Sequence, residues 1–263
     1  MSHPSIPPYS VDLWEPDARF THCVFIFVYN EGPKIRQQIE RFPPAETRKF
    51  DIMIGNDGST DDSLDPHYLK SKGIRGMVSL PENQGLSPNI KAGLHWWFSE
   101  TRYQSIICMN GNNKDDPTAI PDFIHKLESG YDYVQGSRFL PGGSMKNIPS
   151  VRYWAIRWIH APLFSLAARH QMTDTTNGFR AFSRTALEHR EVLPFQEAFR
   201  AYELEQYLAC RMLRLGMPSI EIPVSRDYPE PDGKPKTYSK IKPGIGYLQM
   251  IKPLLALNFN LYK

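Results

Sequence analysis

The sequence predicts an α/β fold: a single domain built on an open, mostly parallel sheet with helices on its faces. The strand-like runs of the first half are apolar throughout rather than alternating, as in strands covered on both sides. Each run ends in a polar, turn-forming cluster and is followed by apolar residues at helical spacing, which repeats as βα units. A chain of 263 residues can bury one substantial core.

Residues 1 to 20 hold four prolines and little periodicity, so an extended lead is expected there. The first strand is 22 to 28, which stops at Tyr29-Asn30-Glu31-Gly32-Pro33 before a helix over about 33 to 42. A second strand, 50 to 55, ends in Asn56-Asp57-Gly58-Ser59-Thr60-Asp61-Asp62, where Gly58 relieves backbone crowding and Ser59 or Asp61 caps a short helix containing Leu64. A third, near 76 to 80, leads through Pro81-Glu82-Asn83-Gln84-Gly85 to a helix from about 87 to 99. The fourth, 104 to 109, runs into Asn110-Gly111-Asn112-Asn113-Lys114-Asp115-Asp116, and a helix begins near Pro117.

The second half changes character. A strand over 133 to 139 ends at Arg138 before a glycine-rich stretch, and a long helical pattern follows from 149 to 170 with Trp154, Trp158, Arg152, Arg157 and Arg169. That pattern fits a homodimer interface, a peripheral membrane surface, or ordinary packing on the sheet. Asp174 to Ser183 turns from a polar loop into a short strand, a helix from about 201 to 214 carries Glu203 and Glu205 at its start, and 219 to 224 is the last strand. The segment from Arg226 to Lys242 reads as a long active-site loop, and a basic-ended helix closes the chain from 243 to 263.

Composition narrows the chemistry. A net charge of +3, from 31 Lys and Arg against 28 Asp and Glu, is too balanced for wholesale nucleic-acid binding. Three widely separated cysteines in apolar surroundings argue against a disulfide framework and for a reducing cytoplasm. No apolar run reaches the roughly 18 to 20 residues that span a bilayer and no signal-peptide pattern opens the chain, so any membrane contact is expected to be peripheral, at the inner face of the plasma membrane. The dinucleotide and P-loop glycine fingerprints are both missing, which removes hydride transfer and P-loop hydrolysis. What remains is a crevice of carboxylates and amides at one sheet edge, with arginine and lysine arriving from later loops. Such a crevice suits a nucleoside diphosphate.

Val28-Tyr29-Asn30-Glu31, Asn56 to Asp61, Asn83-Gln84-Gly85, Asp174 to Arg180 and Tyr238-Ser239-Lys240, in this order, resemble family 2 glycosyltransferases of the GT-A fold, in the branch of dolichyl-phosphate mannose synthases and polyprenyl-phosphate sugar transferases. The resemblance covers residues 22 to about 242 and implies a catalytic domain over 21 to 242, with a nucleotide-binding half (21 to 135) and an acceptor-binding half (136 to 242). It implies transfer of a hexosyl or N-acetylhexosaminyl group from a nucleoside diphosphate-sugar to a glycan, lipid-linked or small-molecule acceptor. Asn30, Glu31 and Asp57 would face the base and ribose. Asp174, Asn177 and Arg180 would border the acceptor and phosphates, and Arg138 with Lys236 or Lys240 would meet phosphate oxygens. The family's metal-binding Asp-x-Asp falls here on Asn110 and Asn112, with Lys114 two positions on. Either Lys114 and other cations replace the metal, or Mg²⁺ or Mn²⁺ still binds weakly through Asn112, Asp115 or Asp116. For a hydroxyl acceptor, Glu203 or Glu205 is the expected base. A non-catalytic nucleotide-sugar-binding or scaffold protein is the competing class.

Overall fold

A computed structural model describes residues 5 to 228 and 245 to 262. In chain order its elements are β1 (Ser10–Leu13), β2 (His22–Val28), α1 (Pro33–Ile39), β3 (Asp51–Asn56), a 3₁₀ turn (Asp62–Leu64), α2 (Pro66–Ser71), β4 (Gly76–Ser79), α3 (Leu86–Ser99), β5 (Ser105–Asn110), a second 3₁₀ turn (Pro117–Ala119), α4 (Ile120–Glu128) and β6 (Tyr133–Ser137). Then follow α5 (Ser150–Ala155), a π-helical segment (Ile156–His160), α6 (Ala161–Ala168), β7 (Arg180–Ser183), α7 (Arg184–Leu187), α8 (Glu203–Arg214), β8 (Ser219–Pro223) and α9 (Ile245–Asn258).

The strands form one sheet of eight in the order β1-β4-β3-β2-β5-β7-β6-β8. Strands β4, β3, β2 and β5 are parallel, β7 is inserted antiparallel between β5 and β6, and β8 pairs parallel with β6. The mixed, mostly parallel sheet is the one the βα repeats predict.

Period-two alternation divides each strand between two cores. Phe25, Met53, Ile106 and Cys108 face α3 and α8, where Trp97, Leu204 and Leu208 are buried. Val24, Ile26, Ile54, Ile107 and Met109 face α1 and α4, against Ile35, Ile39, Ile120 and Phe123.

Two expectations change. The lead is not wholly extended coil, because Ser10 to Leu13 adds an antiparallel edge strand to β4; at four largely exposed residues it is too short for the sequence to show. The 149 to 170 pattern is helical as expected, but it is interrupted by a π segment and α6 lies on α8 and α9 rather than on the sheet.

Candidate active site

The C-terminal ends of β2, β3 and β5 open on one sheet edge, and the loops beyond them are tied together before any ligand arrives. Asn30 takes a positive φ of 45°, accepts from the Thr60 amide at 2.8 Å, and its own amide donates to Ser59 Oγ at 3.1 Å. Gly32 N donates to Asp61 Oδ2 at 3.0 Å, and Asp61 also caps the following 3₁₀ turn by accepting from Ser63 N. Asp57 is buried and accepts from Asn83 Nδ2 at 2.8 Å, Gln84 N at 2.8 Å and Gly85 N at 3.0 Å, so it anchors the turn that starts α3. Gly58, with φ +65°, passes so close to Glu82 that an added Cβ would meet its carbonyl carbon at 2.4 Å. Asn30 and Asp57 thus hold together the loops at this sheet edge. Glu31 stands nearby, 3.7 Å from Lys34 Nζ.

The corner after β5 is organised by arginines. Asp115 is fully buried and ion-paired with Arg226, with which its backbone also forms an isolated bridge. Asp116 caps the turn through Thr118 N at 3.1 Å and pairs with Arg41 Nη2 at 3.1 Å. Asn112 Oδ1 accepts from the Lys114 amide at 3.3 Å. Lys114 Nζ lies 4.6 Å from the centre of the Tyr228 ring, and the Arg152 guanidinium stands 5.7 Å from the same ring. Burial, then the charges of Arg226, Arg152 and Lys34, lower the Lys114 pKa to about 8 against the opposing pull of Glu31. It remains a cation at neutral pH in a cationic corner, a setting that favours an arriving anion.

This arrangement bears on the expectation of a weakly bound Mg²⁺ or Mn²⁺. Asp115 and Asp116 pair with Arg226 and Arg41, and among the described residues no group of three His, Cys, Asp or Glu is placed to hold a metal ion. The corner offers two neutral amides, Asn110 and Asn112, beside an ammonium. That donor set does not fit a tightly held hard divalent cation, which takes carboxylate oxygens by preference.

Most of the residues expected on the acceptor side are buried and partnered within the fold. Asp174 and Arg138 form a bidentate ion pair, Nε to Oδ2 at 2.6 Å and Nη2 to Oδ1 at 2.7 Å, with side chains 0% and 1% exposed. Burial alone would raise the Asp174 pKa, but the charge and hydrogen bonds of Arg138 outweigh it and hold the carboxyl below the ordinary range. Each group's charge is met by the other inside the fold. Asn177 is also buried, donating to Gly136 O at 3.1 Å and accepting from Phe179 N at 3.2 Å, which makes it a turn former. Glu203 accepts from Arg200 N at 3.0 Å and Ala201 N at 2.5 Å, closing the start of α8. Lys236 and Lys240 lie outside the described residues.

Of the two glutamates at the start of α8, Glu203 is buried and Glu205 is partly exposed. Its side chain is 15% exposed, and Oε1 lies 3.8 Å from Arg180 Nε, an ion pair longer than a hydrogen bond. Arg180, buried at the head of β7, donates to the carbonyls of Glu205 and Asn177 at 2.9 and 2.6 Å. Gly178 lets these groups converge: a Cβ there would stand 2.6 Å from Asn110 Nδ2 and 3.2 Å from Glu205 Oε1.

His160, in the π segment, was not singled out by sequence. Its Nδ1 shares a 2.7 Å hydrogen bond with Thr175 Oγ1 under the Asp174 loop. Burial pushes its pKa from 6.5 down to about 4, with Asp174 opposing and Arg180 and Arg138 reinforcing. The unfolded chain takes up this proton near 6.5 and the folded protein only near 4, so the stability is complete above that window and lost as pH falls through it. A His160→Asn variant should flatten the fall in urea midpoint between about pH 6.5 and 4, a difference of about 2–3 kcal/mol. An unchanged slope would remove His160 as its source.

Comparison with known proteins gives one family and one fold. The model of the family described as "Glycosyl transferase family 2" matches residues 23–190. Among curated proteins, the undecaprenyl-phosphate mannosyltransferase of Micrococcus luteus is 24% identical over 200 residues, covering 75% of this chain and 79% of that protein. The dolichol-phosphate mannosyltransferase of Pyrococcus furiosus is 25% identical over 174 residues, covering 65% of this chain but only 48% of its own length. Among solved structures, glucosyl-3-phosphoglycerate synthase from Mycobacterium tuberculosis, in complex with Mn²⁺, UDP-glucose and phosphoglyceric acid, superposes with a TM-score of 0.64 at 17% identity, covering 92% of this chain and 80% of that one. S. aureus TarS in complex with UDP-GlcNAc gives 0.55 at 12% identity, covering 90% and 66%.

Proposed function

This chain belongs to glycosyl transferase family 2, and we propose that it moves a hexosyl or N-acetylhexosaminyl group from a nucleoside diphosphate-sugar to an acceptor hydroxyl, with Glu205 as base and Lys114 facing the diphosphate. One observation carries the proposal: Glu205 Oε1 and the Asn110 amide meet over Gly178 at the end of the strand that leads to Lys114. The acceptor hydroxyl gives its proton to Glu205 while its oxygen bonds to the anomeric carbon. The bond from that carbon to the phosphate oxygen breaks, and its electron pair leaves on the diphosphate. Lys114, backed by Arg152 and Arg226, stabilises that charge without a bound cation. The Asp57-anchored turn and Glu31 border the base and ribose.

A second reading follows from the named relatives, whose acceptors are polyprenyl phosphates. A phosphate acceptor is already anionic and needs no base. The non-catalytic alternative rests on the loss of the paired aspartates at Asn110 and Asn112.

The deciding experiment incubates the protein with UDP-, GDP-, CDP- and dTDP-sugars and candidate acceptors, with Mn²⁺ or with EDTA, and reads nucleotide release. Release that EDTA leaves intact is expected, and Lys114→Ala should weaken donor binding roughly ten- to hundredfold. Binding without release for every donor and acceptor would support the non-catalytic class. Release abolished by EDTA, or unchanged donor affinity in Lys114→Ala, would remove Lys114 from the proposed role.

A further inference from the structure

The helical run from Ser150 to Ala168 is apolar on two opposite sides, which an ordinary surface helix is not. Its inner side buries Ile156, Phe164, Ala167 and Ala168, and α6 packs there on α8 and α9. Its outer side leaves Val151, Trp154, Trp158 and Leu166 exposed at 75, 55, 67 and 70%. Exposed Pro162 continues the stripe between Trp158 and Leu166, and the π segment widens it by turning Arg157, Trp158 and Ile159 outward together. The Trp154 and Trp158 rings lie 6.5 Å apart at an interplanar angle of 19°, both at the surface.

Charge indicates what covers this face. No Asp or Glu stands between Asp132 and Asp174; of the cations in that interval Arg138 pairs with Asp174 and Lys146 with Asp227, while Arg152, Arg157 and Arg169 mark the helical run and its C-terminal cap. A second copy docked through a two-fold axis would set these arginines against their own counterparts with no acid between them. An anionic lipid surface offers the opposite charge, and tryptophan sits well at the depth of the headgroups. No helix among the described residues is long and apolar enough to cross a membrane, and a run of about 28 Å lying flat does not need to.

We propose that the outer face of Ser150 to Ala168 docks in the plane of a bilayer that carries anionic lipids, with Trp154 and Trp158 at headgroup level and Arg157 and Arg169 on lipid phosphates. The docked face adjoins the crevice, because Arg152 near its N-terminal end stands over the Tyr228 ring that also receives Lys114. The proposal does not depend on the transferase chemistry.

The full chain is sedimented with vesicles of phosphatidylcholine alone and with vesicles containing about one third phosphatidylglycerol, at low and raised salt. Salt-sensitive binding to the anionic vesicles is expected. Trp154→Ser/Trp158→Ser should weaken it at least about tenfold, and each of Arg157→Gln and Arg169→Gln about fivefold. These side chains are exposed, so far-UV circular dichroism should be unchanged, and the arginine variants test the surface even where the tryptophan pair alters folding. Failure to bind either vesicle, equal binding to phosphatidylcholine alone, or undiminished binding by the variants overturns the proposal. So does a concentration-dependent dimer that the tryptophan variant abolishes.

Discussion

Asp174→Asn is expected to lower the unfolding free energy by about 3–5 kcal/mol, read as the urea midpoint at neutral pH. The cause is the partner left behind. Arg138 is 1% exposed and bonded through Nε and Nη2 to a carboxylate that is itself fully buried, so removing the negative charge strands a cation with no solvent to receive it. The pair also ties two elements, since Arg138 follows β6 and Asp174 begins the loop that returns to β7. Replacing both, as Asp174→Asn/Arg138→Met, should recover part of the loss, because an apolar side chain leaves no unpaired charge. The Asp174 carboxyl is held below its ordinary range, so the stability that it contributes is present at neutral pH and fades as pH falls through that lowered value. A loss of less than about 1 kcal/mol in the single variant would mean that the pair is not the strut described. An acceptor-binding Asp174 predicts another outcome, a weaker acceptor KM on an unchanged midpoint.

The contrast between Asp174 and Glu205 shows where reading the chain succeeds. The sheet was legible because its strands are apolar runs that must end somewhere, and the polar clusters after residues 28, 56 and 110 mark those ends. In parallel strands these ends share an edge, so a crevice there followed from period and polarity alone. Which polar groups face that crevice did not follow. Asp115 and Asp116 are neighbours in a loop, yet one pairs with Arg226 from beyond β8 and the other with Arg41 from beyond α1, and no local spacing announces either partner. The family resemblance points to Asp174, Arg138 and Asn177 as site residues, and their polar segments at strand ends fit that expectation. In the fold all three are buried: Arg138 follows β6, and Asp174 and Asn177 lie in the loop that leads to β7. His160 was missed because a histidine on a helix has no signature until Thr175 is seen beside it. The edge strand β1 was missed for the opposite reason, being too short and too exposed to print a pattern.

Glu205→Gln should lower kcat by about 10²–10⁴ with a hydroxyl acceptor, leaving donor KM and the urea midpoint near their original values. The substitution keeps the shape and an acceptor oxygen, but an amide cannot take a proton from the attacking hydroxyl. Stability should change little because the ion pair to Arg180 is long at 3.8 Å, and Arg180 keeps its bonds to the Glu205 and Asn177 carbonyls in either variant. Glu203→Gln is the matched control for folding, one turn-start away on α8: its carboxylate closes the helix start, so the loss there should be in stability and not in kcat. The Glu205 variant also separates the two acceptor classes. A phosphate monoester arrives without a proton to lose, and against it the Glu205 carboxylate is a like charge beside the incoming nucleophile. With such an acceptor Glu205→Gln should leave kcat intact or raise it, and the base would then be absent from the mechanism. A fall in kcat only with hydroxyl acceptors, on an unmoved midpoint, assigns the proton to Glu205.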